Sequence, residues 1–133
     1  MTTTYFLNCI MGNVFGTDTS PAIPTNYYLG LSKTAPTLSG SNVTEPSDSA
    51  YHRVSIKSAL SEPTNGIITN TTEVSLPEST VDWGTCTHFV IYDAQSGGNL
   101  LMYNTLDKSR TIQSETQMSF KVGGITLTLR NPE

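Results

Sequence analysis

The run Phe89-Val90-Ile91-Tyr92 is apolar at every position. Alternate side chains of an extended strand point to opposite faces, so Phe89 and Ile91 share one face and Val90 and Tyr92 the other. A strand apolar on both faces belongs in the middle of a layered β structure, not on its rim. Asp82-Trp83-Gly84 precedes this run as an entry turn, Ser96-Gly97-Gly98-Asn99 follows it as a turn, and Leu100-Leu101-Met102-Tyr103 returns. The densest apolar signal is therefore a central hairpin, and no catalytic motif sits beside it.

Other segments repeat the period of two. Tyr27, Leu29 and Leu31 fall on one face of a first strand, and residues 51 to 58 place Val54 and Ile56 inward with Arg53, Ser55 and Lys57 outward. Residues 67 to 70 and 73 to 76 give one broken strand or two short ones, and 108 to 116 read as a polar connection. Met118, Phe120 and Val122 before Gly123-Gly124, and Ile125, Leu127 and Leu129 after it, predict a closing hairpin with these six side chains inward. Thr and Ser fill 36 of the 133 positions, and Thr suits strand backbone and solvated sheet faces. The pattern predicts an all-β fold: a single antiparallel β-sandwich, jelly-roll or Ig-like, with one short N-terminal helix.

That helix is expected over residues 4 to 15, where Phe6, Ile10 and Val14 recur every fourth residue beside Leu7 and Met11. Thr4 is placed to cap it and Gly16 to end it; Gly12 inside weakens it by about 1 kcal/mol relative to Ala. Little charge opposes the apolar face, so it must pack on its own sheet or on a neighbouring subunit. Residues 1 to 26 thus read as a helix and Pro-rich arm, and 27 to 133 as the sandwich, within one domain. The loop from 34 to 49 carries Glu45-Pro46 and Asp48 near its end. A loop of that length in a compact domain is usually functional or held by a partner.

Composition narrows the function classes. With a net charge of −4 and seven scattered Lys and Arg, the chain lacks the concentrated basic surface that nucleic acid requires. No apolar run approaches the ~18 residues of a membrane span. The start has no secretory-signal pattern, so synthesis in a cytoplasm is expected. Cys9 and Cys86 are expected as buried thiols, since no redox or zinc motif surrounds them.

Candidate chemistry is sparse. His52 and His88 fall in expected strands, and Cys86 and His88 share a face by spacing but have no third ligand nearby. Asp82, Asp93 and Asp107 flank the central hairpin. Paired carboxylates hydrolyse glycosides when ~5 to 9.5 Å apart, yet each of these Asp residues has a turn context in which it accepts backbone N–H bonds. No nucleophile elbow, P-loop or dinucleotide fingerprint occurs. The expectation is no catalytic residue, no cofactor and no metal. Trp83 and Tyr51 are the candidates for ligand contact, as a sugar-stacking platform, against the reading that Trp83 anchors a turn over the core. Asn42-Val43-Thr44 and Asn70-Thr71-Thr72 match the glycan-acceptor pattern incidentally.

Several ordered segments carry a resemblance. They are Tyr28-Leu29-Gly30-Leu31-Ser32-Lys33-Thr34-Ala35-Pro36-Thr37, Val43-Thr44-Glu45-Pro46 with Ala50-Tyr51-His52-Arg53-Val54, Asp82-Trp83-Gly84-Thr85-Cys86-Thr87-His88-Phe89, and Asp93 through Gly97-Gly98-Asn99-Leu100-Leu101. With the closing stretch from Phe120 to Leu129 they span nearly the whole chain. In them the chain resembles small virion structural proteins of tailed bacteriophages, of the tail-fibre-like, minor structural or capsid-decorating kind. It departs from that pattern at Ala50 and His52, where Gly and Ala are expected, and at Cys86, where Val is expected. The resemblance implies a non-enzymatic protein of the virion surface, in capsid decoration or in the tail or collar, made in the host bacterial cytoplasm. It implies partners among other copies of itself, a trimer by analogy, and among major capsid or tail proteins of the same phage, with no nucleic acid or membrane partner. The expected assembly residues are Tyr5, Phe6, Ile10, Val14 and Phe15. The alternative is a carbohydrate- or receptor-binding module of a tail fibre, using Trp83, Tyr51 and the 34 to 49 loop.

Overall fold

In the computed structural model, residues 1–17 and 22–129 are described; part of the Pro-rich arm and Arg130 lie outside them. Helix α1 spans Thr4–Phe15. Thr3 rather than Thr4 is its cap, because the Thr3 hydroxyl accepts the Phe6 N–H at 3.4 Å. The same hydroxyl donates to the Leu100 carbonyl at 2.7 Å, so one residue both starts the helix and fastens it to the sheet. Gly16 closes the helix at φ 67, a left-handed conformation that glycine adopts without a steric penalty.

The strands follow as β1 (Tyr28–Ser32), β2 (Val54–Ser55), β3 (Ile67–Thr69), β4 (Val74–Ser75), β5 (Gly84–Tyr92), β6 (Leu100–Ile112), β7 (Ser119–Phe120) and β8 (Thr126–Thr128). The main sheet is antiparallel with order β2-β1-β5-β6, so the doubly apolar strand β5 is internal, as its pattern requires. One face, with Leu29, Leu31, Phe89 and Ile91, builds the larger core with Trp83, Leu76, Phe120 and Ile125. The other carries Val90, Tyr92, Leu100 and Tyr103 beneath Val43 of the long loop. Residues 108 to 112, expected as connection, continue β6. Their polar side chains decorate a solvated strand, and Ile112 returns to the core.

The closing hairpin does not form. β7 pairs with β4 and β8 with β3, so the two halves around Gly123-Gly124 have different partners. The cause is Asn70, 1% exposed. Its side chain donates to the Lys121 carbonyl at 2.9 Å and accepts the Ile125 N–H at 2.9 Å, and its carbonyl accepts the Gly123 N–H at 3.0 Å. The segment 67 to 76 therefore runs antiparallel to 118 to 128 as one two-stranded arm, kinked where both chains wrap Asn70. Val122 and Leu129, expected inward, are exposed at 61% and 48% at the kink and the end of this arm. The jelly-roll and Ig-like expectations call for two continuous sheets; the described residues give one four-stranded sheet faced by two short ribbons. The all-β architecture with one N-terminal helix stands.

Candidate functional site

The long loop is held by the chain itself. Lys33 N–H donates to the Thr44 carbonyl at 2.8 Å, and Thr44 N–H to the Ser32 hydroxyl at 3.1 Å. Further along, Asp48 accepts from the Thr80 hydroxyl at 2.6 Å, from the Ala50 N–H at 3.0 Å, from the Trp83 indole at 2.8 Å and from the Thr80 N–H at 2.8 Å. These bonds, led by the Thr80 hydroxyl, hold the Asp48 carboxyl well below the usual carboxylate range.

Arg53 was expected to face solvent and is 6% exposed. Only Val54–Ser55 of that segment pairs as a strand, so alternation stops short of Arg53, and His52 lies outside any strand. The guanidinium meets Glu45 in a bidentate pair, Nη2 to Oε1 at 2.7 Å and Nε to Oε2 at 3.1 Å. Its Nη1 donates to the carbonyls of Ala94 at 2.9 Å and Gly97 at 2.7 Å, and its plane lies 3.5 Å from the centre of the Tyr92 ring. Four hydrogen bonds thus tie the long loop to the turn between β5 and β6. Tyr51 joins them: its hydroxyl donates to Glu45 Oε2 at 2.5 Å and accepts the Leu31 N–H at 3.1 Å, just past the point where β2 stops pairing with β1. A side chain at Gly30 would collide with the Tyr51 hydroxyl, which explains a glycine inside an apolar strand.

The two ligand-contact candidates lie in this brace. Trp83 is 1% exposed and stacks edge-to-face on Tyr51, with centroids 5.3 Å apart. With its indole N–H bound to Asp48 and its ring buried, Trp83 offers no free face to a sugar, whereas Tyr51 is half-buried. A polar cleft of about 720 Å³ opens between Tyr51, Ser47, Ser49, His52, Gln95 and Ser96.

The carboxylates do not converge. Asp82 and Asp93 bracket the nine residues of β5, about 30 Å of strand. Asp82 accepts the Ser114 N–H at 2.8 Å and Asp93 the Asn99 N–H at 2.7 Å, both turn roles, while Asp107 lies in β6 beside Arg110. Cys86 and His88 do not share a face. A bulge between them turns Cys86 into the core with Phe89, and burial pushes its thiol up to about 11. Cys9 is buried as well. Among the described residues no three His, Cys, Asp or Glu gather as a metal site. Asn70, which sits in a glycan-acceptor pattern, is buried by the arm.

The helix side is different in kind. Only Cys9 and Gly12 of α1 are buried, and the helix carries no charged residue. Tyr5, Phe6 and Ile10 are half-buried, whereas Leu7, Met11, Val14 and Phe15 are 41%, 56%, 65% and 67% exposed. With 3.6 residues per turn, Phe6 and Ile10 mark one edge of an apolar arc that continues through Val14 and Leu7 to Met11 and Phe15. Under that edge lies an apolar cavity of about 290 Å³, walled by Phe6, Ile10, Met102, Ile68 and Leu127. Of the expected assembly residues, Val14 and Phe15 face solvent and Phe6 and Ile10 line the cavity. The sequence pattern missed the cavity, because its far wall comes from the arm whose pairing Asn70 redirects.

No helix among the described residues is long and apolar enough to cross a membrane. No curated protein matches the chain. A family of virion fibre proteins does match, over residues 1–128, and it covers the helix, the brace, the sheet and the arm. The chain belongs to this family, described as podophage GP4 fiber I protein gp80.

Proposed function

We propose that the chain is a non-enzymatic structural subunit of the phage virion surface, joined through α1 to other copies of itself, three in the arrangement favoured here, and to tail or capsid proteins. The observation that carries this reading is an uncharged helix with Leu7, Met11, Val14 and Phe15 in solvent, on a chain of a fibre-protein family. A contiguous apolar patch on a soluble surface marks an interaction site. Within the family assignment, a fibre position is preferred to capsid decoration or a collar.

Quantitative mass spectrometry of purified, dissociated virions tests it. The chain should be present at a few to a few dozen copies per particle. Hundreds of copies would point to shell decoration, and absence from the particle would sink the proposal.

A further inference from the structure

We infer that Phe15 and Val14 of one copy insert into the apolar cavity beneath α1 of a second copy. The inference deepens the assembly role proposed above and rests on it. An apolar cavity of ~150 Å³ stays dry and accepts a benzene ring. At about 290 Å³, this one has room for a phenyl ring and a branched aliphatic group together. Leu129 and Gly66 of its lining are exposed to solvent.

The chain itself supplies the matching knob. Of its four Phe residues, Phe15 alone is exposed, at 67%, with Val14 beside it at 65%. Gly16 turns the backbone away at φ 67, so the pair stands at the tip of the helix. Phe15 points about 180° around the helix from Phe6, so a copy cannot place it in its own cavity. Residues 18–21 and 130–133 read Asp-Thr-Ser-Pro and Arg-Asn-Pro-Glu, without a Leu, Ile, Val, Met or aromatic residue.

The rival surface for self-association is the edge of β6. It carries exposed Asp107, Lys108 and Arg110 and a register shift opposite Cys86 and His88, features that block edge-to-edge pairing. The helix surface has no such guard. Knob and cavity are different patches of one chain, so the contact is heterologous. Such contacts close into rings or run on as filaments, and three of them suffice for a three-fold ring.

The test uses two full-length variants, each confirmed folded by its thermal melt. Phe15→Asp removes the knob and keeps the cavity; Ile68→Trp fills the cavity and keeps the knob, with Thr2→Trp, at another residue of the cavity wall, as the substitute if Ile68→Trp fails to fold. In sedimentation equilibrium the unmodified chain should self-associate, and each variant alone should associate at least about tenfold more weakly. An equimolar mixture should give a one-to-one heterodimer, because one knob and one cavity remain. A monomeric unmodified chain, or Phe15→Asp associating normally, overturns the inference. So does Ile68→Trp associating normally, since a symmetric helix contact that leaves the cavity empty would produce that result, and so do two monomeric variants that fail to pair, since knob and cavity would then not meet. A monomeric chain that is still found in virions removes this inference alone. A chain that associates by this contact but is absent from virions removes the proposed role alone.

Discussion

Two regions packed on the main sheet, the brace around Arg53 and the helix α1, solve opposite problems. At the brace, a Ser- and Pro-rich loop crosses the fold, and most of the polar side chains it brings find partners within the chain. Asp48 accepts four hydrogen bonds shorter than 3.1 Å, and Arg53 donates four. At α1, four large apolar side chains face water. A loop that looks functional by length is thus an internal brace, and a helix that looks ordinary by pattern is the unfinished surface. Length and polarity alone do not locate an interaction site; unmet contacts do.

The largest break in this contrast should come from Trp83→Ala. It removes a fully buried ring, its edge contact with Tyr51 and a donor to Asp48, and should cost about 3–5 kcal/mol in denaturant unfolding, much of a typical domain's 5–15 kcal/mol. A cost under about 1 kcal/mol would remove the brace from the account. Arg53→Met comes next. It strands the Glu45 carboxylate, which is 23% exposed, and two loop carbonyls, for a cost of about 3 kcal/mol. Combined with Glu45→Gln, the loss should be less than additive.

Acid should weaken the fold in two stages, only the second of them at the brace. Burial lowers the pKa of His88, and hydrogen bonding lowers that of Asp48. A group whose folded pKa is depressed contributes fully above its unfolded pKa and loses that contribution as pH falls through the folded value. Stability should therefore decline below about 6.5 as the unfolded histidine protonates, and again below about 4 for Asp48. Urea midpoints across this range check it, and a flat profile below about 4 contradicts the Asp48 role. The smallest effect on stability belongs to the helix: Phe15→Asp should shift unfolding by no more than about 0.5 kcal/mol, so its consequence is confined to assembly.

Much of the fold was legible because β5 and α1 obey simple periods, and the internal position of β5 follows from its two apolar faces. The arm was not legible, because Gly123-Gly124 signals a local hairpin while Asn70, some fifty residues earlier, supplies the bonds that split it. The brace had a faint trace in Gly30, a glycine inside an apolar strand, and in the carboxylates Glu45 and Asp48 of the loop. Alternation placed Arg53 outside because it could not register that β2 ends after two residues. The helix residues were readable as apolar, but which of them remain in water depends on how little of α1 the sheet covers.

Hydroxyl-radical footprinting of the chain, free and within intact virions, tests the central claim most directly, because Met11, Phe15 and His52 are all exposed and oxidisable. Met11 and Phe15 should lose most of their reactivity in the particle while His52, beside the brace, keeps its own. Protection of His52 with Met11 and Phe15 unchanged would place the contact on the brace rather than the helix and contradict the account.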